Sequence, residues 1–464
     1  MKTDNTVSYK KGEMITVDIT DFGENGEGIG KTDAFTWFIK DTVIGDKVMA
    51  KVMKTKKSYG YARLESIINE SPDRIEAKCP VARSCGGCTL QSLDYKVELK
   101  LKQNKVENHL KRIGGFDLSS VEIEEIIGME DPIRYRNKSQ FPFGRKNGKN
   151  ITGYFAGRTH SIVEFDDCII GIEENKTVLQ IVLDFMEKYS VEAYNEEDGS
   201  GIVRHVLIRK GFATGELMVC IVINANNLPH SDKLVESLRS TLGSDLKSVS
   251  ININKKNTNV ILGERTVTLY GNGYIEDYIG DVKFRISPQS FYQVNPVQTK
   301  KLYSKALEYA ALTGKETVWD MYCGIGTISL FLAKSAKFVY GVEIVDAAIQ
   351  NAIENAKINN IENVKFFVGK AEEIITGEYE NGNIRDVDVI VVDPPRKGLD
   401  KLAIDTMLKL LPKRIVYVSC DSSTLARDLK LLCEKEYELK KLTVVDQFAR
   451  SYHTESVVVM SRDI

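Results

Sequence analysis

From about residue 291 onward the chain alternates short apolar strands with helical patterns, and this restricts the fold more than any other feature of the sequence. Apolar runs at 317–322, 338–343, 364–368, 387–393, 415–419 and 456–461 are interleaved with helices predicted to begin near Thr327, Ala347, Ala403 and Thr424. Parallel strands need long crossover connections, and helices supply them on both faces of the sheet. The expectation is α/β, with a doubly wound Rossmann-like sheet over 291–464. Ligands in such sheets bind outside the carboxyl ends of the strands. Residues at those ends are therefore the first candidates for chemistry.

The preceding chain reads differently. Residues 8–67 carry short alternating strands with Gly23, Gly26, Gly28 and Gly30 as punctuation, the pattern of a small OB-like β-barrel. Cys79, Cys85 and Cys88 follow, then an amphipathic helix over 95–110 that ends at Gly114-Gly115. Residues from 121 to 290 are strand-rich with two helices, near 174–189 and 230–242, and suggest an α+β middle domain. The expected division is 1–67, 68–290 and 291–464, with helix 95–114 a candidate to pack on the C-terminal part.

Charge and composition narrow the function classes. The 464 residues carry a net charge of −2 and a hydrophobic share of 42%, as in ordinary globular chains. No apolar run is long enough to span a membrane, and the first residues lack the apolar core of a signal peptide. A cytoplasmic protein is expected, with its eight cysteines reduced. Two basic stretches stand out against the neutral total. One holds Lys47, Lys51, Lys54, Lys56, Lys57 and Arg63 with Tyr59 and Tyr61; the other holds Arg134, Arg136, Lys138, Arg145, Lys146 and Lys149 with Tyr135, Phe141 and Phe143. Either is a solvated face or a surface that offers charge and stacking to RNA.

At the strand ends, Asp320-Met-Tyr-Cys-Gly324-Ile-Gly326 runs from a strand into a glycine turn and a helix, where backbone can approach a nucleotide closely. Glu343 ends the next strand and can accept hydrogen bonds from ribose hydroxyls. Position 329 is Ser where a dinucleotide fingerprint has its third glycine, which weighs against a nicotinamide cofactor and towards S-adenosylmethionine. Asp393-Pro-Pro-Arg396 closes the fourth strand, Tyr-Val-Ser-Cys420 the fifth, and His453-Thr-Glu455 opens the last. Cys420 reads either as a buried small hydrophobe or, in that company, as a nucleophile.

These motifs, with Ser287-Pro-Gln-Ser-Phe-Tyr-Gln-Val-Asn295 and Thr424-Leu-Ala-Arg-Asp428, resemble the RNA (uracil-5-)-methyltransferase family over nearly the whole chain. The barrel resembles its TRAM domain and the cysteine group its iron–sulfur segment. The resemblance implies that Gln293, Tyr322, Glu343 and Asp393 contact S-adenosylmethionine. It makes Cys420 the nucleophile and Glu455 the general base. Such chemistry needs both, because uracil C5 is a poor nucleophile until a thiolate adds at C6, and a base must then remove the C5 proton. His453 is a candidate to tune that site, Phe291 to stack on a base and Arg396 to touch phosphate; packing or solvation are the alternatives. An RNA cytosine-5-methyltransferase typically carries a second cysteine in the loop 393–398, and none is there.

Cys79, Cys85, Cys88 and the remote Cys168 form four candidate metal ligands, suited to a 4Fe-4S cluster or to zinc. Three clustered thiols plus one distant one, and the resemblance, favour the iron–sulfur cluster. Family members with this cysteine group act mainly on 23S ribosomal RNA, so the resemblance implies that substrate; a monomer with no obligate protein partner is expected. The other readings are a transfer-RNA uracil-5-methyltransferase and an iron–sulfur RNA-binding protein without activity.

Overall fold

The computed structural model describes residues 9–33, 35–157, 159–382 and 387–462. The first eight residues, read above for an export signal, lie outside them. The chain divides into two compact units. One comprises Met1–Leu101, Tyr154–Val163 and Phe448–Tyr452; the other comprises Lys102–Gly153, Glu164–Gln447 and His453–Ile464. No described helix is long and apolar enough to cross a membrane.

The first unit is built on a closed barrel of strands Met14–Phe22, Gly28–Thr32, Phe35–Ile39, Tyr59–Asn69 and Lys47–Thr55, in that spatial order. Alternate residues point inward, so Ile15, Val17, Ile19, Trp37, Ile39, Val48, Ala50 and Val52 fill one small core. Gly28 and Gly30, which the sequence suggests as turn residues, instead lie within a strand. A Cβ on Gly30 would stand 2.3 Å from the Asp18 carbonyl oxygen, so close strand approach, rather than a turn, requires glycine there.

The second unit contains two large sheets. In the middle region strands run in the order Arg265–Gly271, Leu246–Ile253, Leu217–Ile223, Val203–Lys210, Lys138–Lys146, Lys149–Phe155. Only Leu217–Ile223 and Leu246–Ile253 pair in parallel among these, with helix Ser231–Leu242 as their crossover. The C-terminal sheet has the order Val364–Val368, Phe338–Glu343, Thr317–Met321, Val389–Val392, Arg414–Ser419, Glu455–Ser461, Glu438–Val445, Glu122–Ile123. Its first five strands are parallel and Glu455–Ser461 is antiparallel to both neighbours. Strand alternation divides the side chains between two cores: Val389, Val391, Val416, Val418, Val457 and Val459 face one, while Ile390, Val392, Ile415, Tyr417, Val458 and Met460 face the other. Both faces are covered, as the doubly wound expectation requires.

Two strands of this sheet are not evident from the sequence pattern. Glu438–Val445 begins with lysines that pair outward, Lys440 to Glu438 and Lys441 to Glu122, and these charges mask its alternation. Glu122–Ile123 is a two-residue edge strand, too short to leave a pattern.

Helix Tyr95–His109 enters this unit at Lys102, and its Val106, with Leu110 beyond it, joins the same core as Leu425, Ala426 and Leu429. Lys102 Nζ meets Asp446 Oδ1 at 2.7 Å, both side chains fully buried. The turn holding Asp446 is tied further to helix Pro296–Ala310: Gln298 Nε2 donates to the Asp446 carbonyl at 3.1 Å and Gln447 Nε2 to Thr299 Oγ1 at 2.7 Å. Removing one partner strands a buried charge, so Asp446→Ala is expected to lower stability by about 3–5 kcal/mol in urea unfolding. The double variant Lys102→Met/Asp446→Leu should recover most of that loss. Equal losses in the single and double variants would refute this assignment of the pair.

Candidate active site

The carboxyl edge of the C-terminal sheet collects the candidate residues from separate parts of the sequence. In the antiparallel ladder Ser419 lies opposite Ser456. One step further, Cys420 leaving its strand comes opposite Glu455 entering its own. On the other side Val392 pairs in parallel with Tyr417, so Asp393 emerges beside Val418. Three strands thus bring a thiol and two carboxylates to one place.

The turn around Cys420 is fixed by hydrogen bonds. Asp421 N donates to Ser419 Oγ at 3.2 Å, and Asp421 Oδ1 caps helix Ser422–Leu432 by accepting from Ser423 N at 3.0 Å and Thr424 N at 3.1 Å. That helix also grips the loop after Asp393. Thr424 Oγ1 donates to the Arg396 carbonyl at 3.2 Å, and Arg427 Nη2 to the Lys397 carbonyl at 3.0 Å. Asp428, fully buried, accepts from Leu399 N at 2.7 Å and from the Tyr417 hydroxyl at 2.8 Å. Gly398 has φ of 75°, and a Cβ there would lie 2.5 Å from Asp428 Oδ2. These contacts explain why Thr424-Leu-Ala-Arg-Asp428 accompanies Asp393-Pro-Pro-Arg-Lys-Gly398. Thr424, Arg427 and Asp428 are the positioning residues that reading the sequence left unassigned, although the motif contained them.

Electrostatics at this edge are dominated by burial. Glu455 is 3% exposed. Its carboxyl is held well above the usual carboxylate range by burial and then by Asp393, against the opposing charge of Arg396. Burial pushes Asp393 up to about 7, with Asp320 adding to it. Burial pushes the Cys420 thiol up to about 12, reinforced by Glu455 and Asp393 and opposed by Arg396. Burial and the two acids therefore favour the thiol over the thiolate at Cys420.

The glycine turn lies at the same edge. Tyr322, Gly324 and Gly326 have φ of 76°, 55° and 81°, the left-handed region that opens backbone at a turn. Gly326 must also be small, since a Cβ would approach Ala352 and Phe366 at 3.2 Å. Ser329, in place of a third glycine, is buried and donates to Asp320 Oδ2 at 2.5 Å. Asp320 Oδ1 is buried without a partner among the described residues. Burial pushes the Asp320 carboxyl up to about 7. Glu343 is half-buried and accepts from Val345 N at 3.0 Å, leaving one carboxylate oxygen for a ligand hydroxyl. A buried carboxylate oxygen without a partner and an open left-handed turn at the strand ends fit an adenosyl group.

Gln293 belongs to a loop held from the middle sheet. Arg209, fully buried, donates to the Ser287 carbonyl at 3.2 Å and the Ser290 carbonyl at 3.1 Å. Asn137 Nδ2 donates to the Gln293 carbonyl at 3.1 Å. Phe291 is 69% exposed, which removes core packing as its explanation.

The basic stretches resolve into paired and unpaired charges. Arg134 pairs with Asp167, Arg145 with Glu192 and Lys146 with Glu164. Lys138 has no ion-pair or hydrogen-bonding side-chain partner among the described residues. Burial, with Arg209 and Arg136 adding, pushes its amine down to about 8. Such a cation lacks a counter-charge. In the barrel Lys47 pairs with Asp18 and Arg63 with Glu65, while Lys51, Lys54, Lys56 and Lys57 are exposed. Phe38, Tyr59 and Tyr61 form a half-exposed aromatic group with centroids 5.6–5.9 Å apart.

The four candidate metal ligands are half-buried cysteines. Cys79, Cys85 and Cys88 belong to the first unit and Cys168 to the second. Among the described residues no three His, Cys, Asp or Glu side chains are gathered so as to hold a metal ion. The donor chemistry suits iron and sulfide, and no step is derived through a cluster. Cys220 and Cys323 are buried and Cys433 half-buried, with burial raising each thiol above its ordinary value.

Sheet order, glycine turn and edge residues define a Rossmann-like S-adenosylmethionine-dependent methyltransferase fold, joined to a barrel that matches the TRAM domain over residues 9–64. Residues 95–463 match the tRNA (uracil-5-)-methyltransferase family, and the chain belongs to it. It is 49% identical over 459 residues to an uncharacterized RNA methyltransferase of Clostridium acetobutylicum, covering 99% of each chain. It is 46% identical to another from Bacillus cereus, covering 100% of this chain and 99% of that one. Among solved structures it is similar to the tRNA (uracil-54, C5)-methyltransferase of Pyrococcus abyssi in complex with S-adenosyl-L-homocysteine. That match has a TM-score of 0.76 and 27% identity, covering 96% of this chain and 100% of the other.

A thiol with a raised pKa gains reactivity only as pH climbs through the alkaline range, where an ordinary cysteine has already ionised. Removing a neighbouring negative charge must lower that pKa. Glu455→Gln is therefore expected to shift the pH midpoint for iodoacetamide alkylation of Cys420 downward, followed by mass spectrometry of its peptide. An upward shift would show that Glu455 does not act on the thiol as its placement requires.

Proposed function

We propose that this protein methylates C5 of uridine in 23S ribosomal RNA, with Cys420 as nucleophile and Glu455 as general base. The observation that carries the reading is the meeting of Cys420 and Glu455 across one strand pair, beside Asp393. S-adenosylmethionine supplies an electrophilic methyl group, and Gln293, Tyr322, Glu343 and Asp393 are the residues assigned to hold it. The Cys420 thiolate adds to uridine C6, and the electron pair of the C5–C6 double bond becomes available at C5. That pair takes the methyl group as its bond to sulfur breaks and S-adenosylhomocysteine leaves. Glu455 then removes the C5 proton, the double bond re-forms and the thiolate leaves. Before the addition the Cys420 thiol, whose pKa burial raises, releases its proton to solvent, which leaves Glu455 free to act as base.

Lys138 and Arg136, and the exposed lysines and aromatics of the barrel, supply charge and stacking for RNA. The division of labour follows 1–67 for RNA binding, 68–290 for the middle domain and 291–464 for methyl transfer. The chain acts as a monomer in the cytoplasm. Cys79, Cys85, Cys88 and Cys168 are assigned to a structural 4Fe-4S cluster, the feature that favours ribosomal over transfer RNA. Transfer RNA is the second reading, supported by the similarity to the Pyrococcus abyssi enzyme.

Purified protein, S-adenosylmethionine and unmodified 23S or transfer RNA transcripts test the proposal. The expected product is 5-methyluridine in the ribosomal transcript, lost by about a thousandfold or more in Cys420→Ala. 5-Methylcytidine, or full activity in Cys420→Ala, would overturn it; methylation of the transfer RNA alone would move the substrate. Anaerobically purified protein should also carry iron and acid-labile sulfide, and a preparation active without either would remove the cluster.

A further inference from the structure

Helix Tyr95–His109 is fastened beside the candidate active site at two points on one face. Lys102 is paired with Asp446 in the core, and His109 Nδ1 lies 2.8 Å from the hydroxyl of Ser422, two residues after Cys420. Lys105 follows Lys102 by three positions and precedes His109 by four, so all three share a helical stripe. The stripe carries Lys105 between the Asp446 turn and the start of the helix that follows Cys420. Lys105 is half-buried, and its charge acts on both Asp421 and His453, the neighbours of Cys420 and Glu455. The His453 imidazole is pushed down by burial and then by Arg396, Lys105 and Lys102, against Asp421. Oδ1 of Asp421 is occupied by Ser423 N, Ser423 Oγ and Thr424 N. Arg396 is exposed, and His453 keeps part of its surface open to solvent.

The cations Lys105 and Arg396, from two separate segments, and the neutral His453 imidazole therefore lie about the residues flanking Cys420 and Glu455, while Glu455 and Asp393 are withdrawn from solvent to different degrees. A uridine whose C6 reaches Cys420 must leave its own phosphates at that approach, because base and phosphate belong to one nucleotide. We propose that Lys105, together with Arg396 and His453, seats the backbone phosphate beside the target uridine, which makes helix Tyr95–His109 part of the RNA site. This takes from the preceding reading only that a uridine base occupies the Cys420 site.

The test compares Lys105→Gln and Lys105→Arg in the full chain, using unmodified 23S RNA transcript. Lys105→Gln should raise KM for RNA severalfold with KM for S-adenosylmethionine unmoved, and should reduce the slope of log affinity against log salt by about one. Lys105→Arg should restore both. Affinity and slope equal to those of the unaltered protein in Lys105→Gln would overturn the proposal. So would equal behaviour of the Gln and Arg variants with a lowered melting temperature, which marks a packing role. Binding is also read in a Cys420→Ala background, which cannot react. A Lys105-dependent salt slope without uridine methylation by the intact chain would remove the catalytic reading and leave the phosphate seat standing.

Discussion

The register of one antiparallel strand pair determines the chemistry available to this chain. With Ser419 opposite Ser456, Cys420 and Glu455 meet although 34 residues separate them in sequence. A slip of one residue would turn every side chain of Glu455–Ser461 to the other face. The register is secured by Val457 and Val459 on one core and Val458 and Met460 on the other, all within a fully covered sheet. Packing that stabilises the domain therefore also sets the geometry of the site.

Putting two carboxylates and a thiol on that edge is electrostatically unfavourable. Glu455 and Asp393 are both raised by burial and proximity, and each holds the Cys420 thiol in its neutral form. Above the ordinary carboxylate pKa the folded state must either keep these acids protonated or bear buried charge, so Asp393 subtracts from stability as pH rises from 3.8 to about 7, and Glu455 does so from 4.5 upward. The surrounding contacts offset this: Asp428 and Arg427 fix the loop after Asp393, Asp421 caps the helix after Cys420, and Arg396 contributes an opposing charge. Such strain at a site supported by well-satisfied neighbours is the pattern expected of catalytic machinery.

The doubly wound sheet was legible because fully buried parallel strands appear as apolar runs between helices. The edge residues were legible because each follows such a run. The motif Thr424-Leu-Ala-Arg-Asp428 could be seen but not interpreted, since Thr424, Arg427 and Asp428 act by holding a loop some 28 to 30 residues earlier in the chain. The second basic stretch gave too large an impression of an RNA surface. Arg134, Arg145 and Lys146 have acidic partners distant in sequence, and only the fold reveals Lys138 as uncompensated. Strand Glu438–Val445 escaped notice because its half-buried, ion-paired lysines interrupt the alternation, and Ser329 gained a reason only when seen against Asp320.

The central claim is that Cys420 and Glu455 act in sequence on one uridine. A protein that can add its thiolate but cannot remove the C5 proton must stall with RNA attached. Glu455→Gln incubated with S-adenosylmethionine and unmodified RNA should accumulate a denaturation-resistant protein–RNA adduct, with peptide mass spectrometry locating a methylated uridine on Cys420. Free 5-methyluridine RNA at the unaltered rate, or an adduct on any other cysteine, would contradict the account.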